Sequence, residues 1–145
     1  MVVYDHLMKN HYQTIAVTVV AISLFTMAAA APWQPNDTAF RQKLAGTWLV
    51  DKVTASGVSL KGTIAYAANG SFIAKITVVT DSNKGDIQYE GTWTLNDGVL
   101  VETITKSDSK LAPQGTVTRR KLTQVDDHLM VYQTDKGVTE SRARK

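Results

Sequence analysis

The chain has 145 residues, 43% of them hydrophobic and 20% charged, which allows one globular domain with its own core. Its net charge of +3 is too small to argue for a nucleic-acid partner. It contains no cysteine, which excludes thiol nucleophiles, CxxC redox pairs, Cys-based zinc sites, disulfide frameworks and lipoprotein acylation.

In chain order, the first feature is the uncharged apolar run from Ile15 to Met27, preceded by Lys9, His6 and His11 and followed by Ala28 to Ala31. An apolar core ending in small residues reads as a secretory signal peptide. Cleavage is expected after Ala30, because cutting one residue later would leave Pro32 at the scissile bond. Residues 1–30 are therefore expected to be lost from a protein exported to the periplasm or beyond. The alternative is an uncleaved anchor in the inner membrane, which would be the chain's one membrane contact. Met8 offers a second start.

Residues 31–45 form a lead-in. Asn36 or Asp37 can cap a short helix from Thr38 to Leu44, with Phe40 and Leu44 four apart on one face. From Gly46 the pattern changes to short runs rich in Thr, Val, Ile, Tyr and Trp, separated by turn signals. Eight strands are predicted: 46–54, 62–67, 71–80, 87–95, 99–106, 116–125, 128–134 and 138–144. Asn69-Gly70 and Asp97-Gly98 are hairpin turns, and the stretches 81–86 and 107–115 read as polar loops. Every connection suits a hairpin and no crossover helix intervenes. Residues 46–145 are thus expected to form an all-β domain, an eight-stranded antiparallel up-and-down barrel, whose closure removes exposed edges. A two-sheet sandwich is the alternative.

Gly46-Thr47-Trp48 and Gly91-Thr92-Trp93 echo one another. Glycine lets a strand bend where the sheet curls, and tryptophan fills the bend. Gly46, Trp48, Gly91 and Trp93 are accordingly read as structural anchors.

The segment Leu44-Ala45-Gly46-Thr47-Trp48 resembles the opening of lipocalins and of small bacterial lipocalin-like domains. Tyr66-Ala67-Ala68-Asn69-Gly70-Ser71-Phe72 resembles the aromatic hairpin of the bacterial group. Tyr89-Glu90-Gly91-Thr92-Trp93-Thr94-Leu95 resembles its Gly-Thr-aromatic strand, and Lys121-Leu122-Thr123 through His128-Leu129 a later hairpin. The resemblance spans Thr38 to Arg144 and implies a small calycin-type barrel, often exported. The second motif of larger lipocalins is absent, and Thr134-Asp135-Lys136 matches it only superficially.

With Trp48 and Trp93 as inward markers, period two sends Val50, Tyr89, Gly91 and Leu95 inward. Phe72, Ala74, Ile76 and Val78 make the apolar face of the third strand, with Tyr66 across the turn. Leu100 and Ile104 carry Glu102 inward with them, and Leu122 selects Arg120 over Arg119. Val138, Glu140 and Arg142 share a face. On one reading, Glu102, Arg120 and Arg142 form a polar floor that grips a carboxylate or phosphate, beneath a cavity lined by Tyr66, Phe72, Ile76 and Trp93. On a second, an arginine packs across Trp48 at the closed end and the acid neutralises it. On a third, the parity slips by one and the charges are solvated.

Catalytic and metal chemistry find little support. His128 follows Asp126-Asp127 in a turn, but a zinc site needs further nitrogen or sulfur ligands, so a solvated histidine is expected. No GxSxG, HExxH, P-loop or GxGxxG pattern occurs. The basic run Arg142-Ala143-Arg144-Lys145 is expected to be solvated or to face an anionic surface. No enzyme activity, cofactor, metal or nucleic acid is expected. The expected partner is a small apolar or amphipathic molecule, including anionic ones. The alternative is a non-enzymatic envelope protein with a filled barrel that works through its surface.

Overall fold

The computed structural model describes Asn36 to Lys145, so the expected signal peptide, its cleavage point and the Met8 start lie outside the described residues. The first element is helix α1, Asp37–Leu44, one residue longer than predicted, with Asn36 as its cap accepting from the Ala39 amide at 3.1 Å. Eight strands follow: β1 Gly46–Val53, β2 Ser59–Tyr66, β3 Ser71–Val79, β4 Lys84–Asn96, β5 Val99–Ser107, β6 Val117–Val125, β7 Leu129–Thr134 and β8 Thr139–Ala143. All eight belong to one sheet in sequence order, each antiparallel to the next. The sheet curls until Trp48 on β1 bridges Arg144 just past β8, and the Lys145 amide donates to the Thr47 carbonyl at 2.9 Å. The result is a nearly closed up-and-down barrel, not a sandwich.

Most strand ends differ from expectation by one residue, and three differ in ways that matter. β2 starts at Ser59 rather than Gly62, because Ser59 and Leu60 pair with Val79 and Val78. β4 starts at Lys84, since Thr80 and Asn83 close a tight turn (Thr80 amide to Asn83 carbonyl, 2.8 Å) where a six-residue loop was expected. Val138 falls in the β7–β8 turn and is 53% exposed, so it does not share the inner face with Glu140 and Arg142.

Alternation is otherwise as periodicity dictates. Trp48, Ile64, Tyr66, Phe72, Ala74, Ile76, Trp93, Leu95, Leu100, Leu122, Met130 and Tyr132 point inward and are buried. One end of the barrel is sealed by α1. The Asp37 carboxylate accepts from the amides of Asp97 and Gly98, both at 2.7 Å, and so ties the helix to the β4–β5 turn. Arg41 lies 5.2 Å over the Trp93 ring and donates to the Leu95 carbonyl at 3.2 Å. Arg144 lies 4.7 Å over Trp48, whose indole donates to the Leu44 carbonyl at 2.8 Å. An arginine does pack across Trp48 at the closed end, but it is Arg144. The C-terminal basic run is therefore neither wholly solvated nor a free surface patch: Arg142 is 8% exposed and Arg144 is half-buried against Trp48.

The anchoring glycines are explained by close approach. A Cβ at Gly91, where the β4–β5 register shifts, would sit 2.1 Å from the Thr103 carbonyl oxygen and 2.5 Å from Phe72 Cε1. Gly46 has φ +141, a left-handed conformation that side chains rarely adopt, and its Cβ would meet the Arg144 guanidinium that is held over Trp48. Gly91→Ala is expected to cost at least about 1–3 kcal/mol, because the obstacle is backbone. Its urea midpoint should fall well below that of Gly85→Ala, where nothing lies within 4 Å. Equal midpoints would show that β4 can shift to make room.

Candidate functional site

The opposite end of the barrel, where the β1–β2, β3–β4 and β5–β6 loops gather, holds an open cavity of about 680 Å³. One side of its wall is aliphatic, built from inward positions of four strands: Val50, Leu60, Ile64, Ile76, Val78 and Ile87; the other side, along β1 and β8, is polar. Leu111 and Ala112 of the β5–β6 loop stand at its mouth, and Tyr89, Tyr132, Arg120 and Arg142 bring polar groups to it.

Below the cavity lies a charged cluster from three strands. Glu102 (β5) faces Trp93 across one ladder, Arg120 (β6) faces Leu100 and Arg142 (β8) faces Met130. Arg120 Nη1 pairs with Glu102 Oε2, and the Tyr66 hydroxyl donates to Glu102 Oε1. Arg142 Nη1 donates to the Tyr66 oxygen at 3.0 Å. Both guanidiniums lie against the ring of Tyr132, at 5.4 Å and 5.3 Å. Glu102 and Arg142 are buried, and the Arg120 side chain is 14% exposed. Period two thus placed all three charges on the inner face.

The electrostatics follow from this crowding. Burial, then the neighbouring Arg142 guanidinium, pull Arg120 below the ordinary arginine value. Burial pushes the Tyr89 phenol above its usual value against the opposing pull of Arg142 and Arg120. Two guanidiniums and one carboxylate leave one positive charge in a low-dielectric floor. Each guanidinium carries five donors, so the Glu102 carboxylate on Arg120 and the Tyr66 phenol on Arg142 use only part of them, and both residues line the cavity.

Of the expected lining residues, Ile76, Arg120 and Arg142 reach the cavity. Tyr66 and Glu102 form the layer beneath it. Phe72 and Trp93 do not line it; they pack with Tyr66 in an aromatic layer toward the sealed end, at centroid separations of 6.0 Å each. The barrel is therefore half solid and half hollow.

Sequence reasoning missed Leu60, Ile64 and Ile87 of the wall and two polar members of the site. Tyr132 is the ring between the guanidiniums, and its alternation with Met130 along β7 was the available signal. Lys52 continues the inward parity of Trp48 and Val50, and its ammonium pairs with Glu140 Oε1, while Tyr132 donates to Glu140 Oε2 at 3.0 Å. Burial disfavours the Glu140 carboxylate, but Lys52 and Tyr132 outweigh it and hold Glu140 below the usual carboxylate range. A depressed carboxylate contributes stability above its unfolded value and loses that contribution as pH falls through the folded one.

His128 is exposed in the β6–β7 turn. Its amide and that of Leu129 donate to Asp126, both at 2.8 Å, while Gln124 also bonds the carboxylate; these hydrogen bonds, Gln124's first, hold Asp126 at about 2. Among the described residues, no three His, Cys, Asp or Glu side chains converge as a metal site would require, and no helix is long and apolar enough to cross a membrane. No protein-family model matches the chain, and no curated protein matches it either.

Proposed function

We propose that this chain is an exported, non-catalytic binding barrel of the small bacterial lipocalin-like kind, which holds an amphipathic molecule with one anionic head group. One observation carries the reading: a hollow of about 680 Å³ with an aliphatic wall on one side and two guanidiniums at its floor. That volume lies in the range of small-molecule sites, which pair apolar walls with a few fixed polar groups. The floor's single excess positive charge suits one carboxylate or phosphate, gripped by arginine donors already held in place by Tyr132 and Tyr66. The aliphatic wall suits a hydrocarbon tail directed toward the mouth.

Calorimetric titration with a medium-chain fatty acid and with an alkyl-trimethylammonium of equal length tests this. The acid should bind and the cation should bind at least about tenfold more weakly, since truncating one member of a buried charge pair costs several kcal/mol. A variant that replaces the whole cluster, Glu102→Leu with Arg120→Met and Arg142→Met, should lose the preference and keep the fold. Equal binding of both amphiphiles would sink the head-group assignment. No binding of either would leave a barrel that works through its surface.

A further inference from the structure

The junctions between sequence-adjacent strands carry extended ladders, whereas β1 and β8 share one bridge, Trp48 opposite Arg144, near the sealed end. No further bridge joins them toward the open end. The two strands nevertheless stay in step: counting by twos from that bridge sets Val50 opposite Arg142 and Lys52 opposite Glu140. The Lys52–Glu140 ion pair spans the seam at that point. A side-chain contact stands where backbone hydrogen bonds would otherwise run.

The cavity reaches this seam. Its lining includes residues 50–53 of β1 and 140–142 of β8 without a break. The cavity therefore borders both strands of the seam along the stretch where no backbone ladder joins them. Asp51, Val53 and Ser141, all exposed, mark where it meets the outer surface.

We propose that the cavity fills and empties sideways, through the seam between β1 and β8, with the Lys52–Glu140 pair as its latch. The idea rests on reading the cavity as a binding site. Lys52 is 46% exposed and Glu140 21%, and ion pairs so open to water hold weakly, while every neighbouring junction must break a ladder to part. An approaching carboxylate or phosphate competes with Glu140 for the Lys52 ammonium. Glu140 keeps its hydrogen bond from Tyr132, and the next cation inward on β8 is Arg142. The head group therefore meets Lys52 before Arg142 and Arg120, and the tail follows along Val50.

The test needs no ligand, because the chain has no cysteine of its own. Ile76→Cys places a single thiol on the buried cavity wall, and Ile87→Cys is a second site should the first fold poorly. A neutral aromatic maleimide should label either thiol about three- to fivefold faster once Lys52→Met and Glu140→Gln undo the latch, the range an ion pair of up to about 1 kcal/mol allows. Leu111→Trp, which narrows the axial mouth, should change the rate by less than about twofold. Labelling that ignores the latch overturns the proposal, whether it slows with Leu111→Trp or ignores both changes. Because the readout is a labelling rate, that failure would leave the amphiphile reading standing. Failure of the fatty acid to bind would remove that reading without touching the seam.

Discussion

Replacing Trp48 by Ala is expected to cost about 3–5 kcal/mol of stability, a large part of the roughly 5–15 kcal/mol a domain of this size holds. Trp48 is fully buried and is the point where the first strand meets the end of the last. Its indole N–H satisfies the final carbonyl of α1, and its face carries the Arg144 guanidinium. The substitution therefore removes core volume, frees a helix-end carbonyl and strips Arg144 of its platform at once. Trp93→Ala should fall in the same range, since its N–H bonds the Ala67 and Ser71 carbonyls, both at 3.0 Å, and Arg41 covers its ring. Urea unfolding followed by far-ultraviolet circular dichroism measures both. A loss below about 1 kcal/mol at Trp48 would mean that the seam's single bridge does not depend on it.

Much of this architecture is legible in the chain because strand alternation is a strict period. Leu100 and Ile104 carry Glu102 inward and Leu122 selects Arg120, and the structure brings both together with Arg142, whose own marker Val138 instead lies exposed in the turn. Hairpin chemistry is equally local: Asp97 at φ 50 and Gly98 at φ 73 adopt the left-handed conformations that Asp-Gly favours. What was not legible is whatever depends on contacts between distant segments. Nothing near Asp37 announces that its carboxylate will cap the β4–β5 turn, 60 positions on. The division of the barrel into an aromatic solid half and an aliphatic hollow half is likewise invisible to period two. Phe72 and Ile76 share a face of β3, yet Phe72 fills the sealed end and Ile76 the cavity wall. Gly62 reads as a strand start, but it is a mid-strand close approach, where a Cβ would lie 2.0 Å from the Lys75 carbonyl oxygen.

Glu102→Leu alone is expected to cost about 3–5 kcal/mol, although leucine is apolar and fills much of the same space. The carboxylate is 5% exposed and is the anion bonded to both Arg120 and Tyr66 in the cluster. Its loss leaves two guanidiniums facing the same tyrosine ring with no counter-charge between them, and desolvated cations without a partner are costly. Adding Arg120→Met and Arg142→Met should restore most of the lost stability, because replacing a whole buried ionic cluster by apolar residues is often neutral or favourable by about 1–4 kcal/mol. Binding should move the other way. Glu102→Leu raises the floor's charge from one excess positive to two, so the fatty acid should bind it more tightly than wild type and recover part of its thermal stability by mass action. The pair of measurements, urea midpoints without ligand and melting temperatures with it, separates a ligand site from a structural charge cluster. A structural cluster would lose stability and gain nothing on adding the acid. A destabilised Glu102→Leu protein that the acid restores would identify Glu102 as the counter-ion that holds the empty site until an anion arrives.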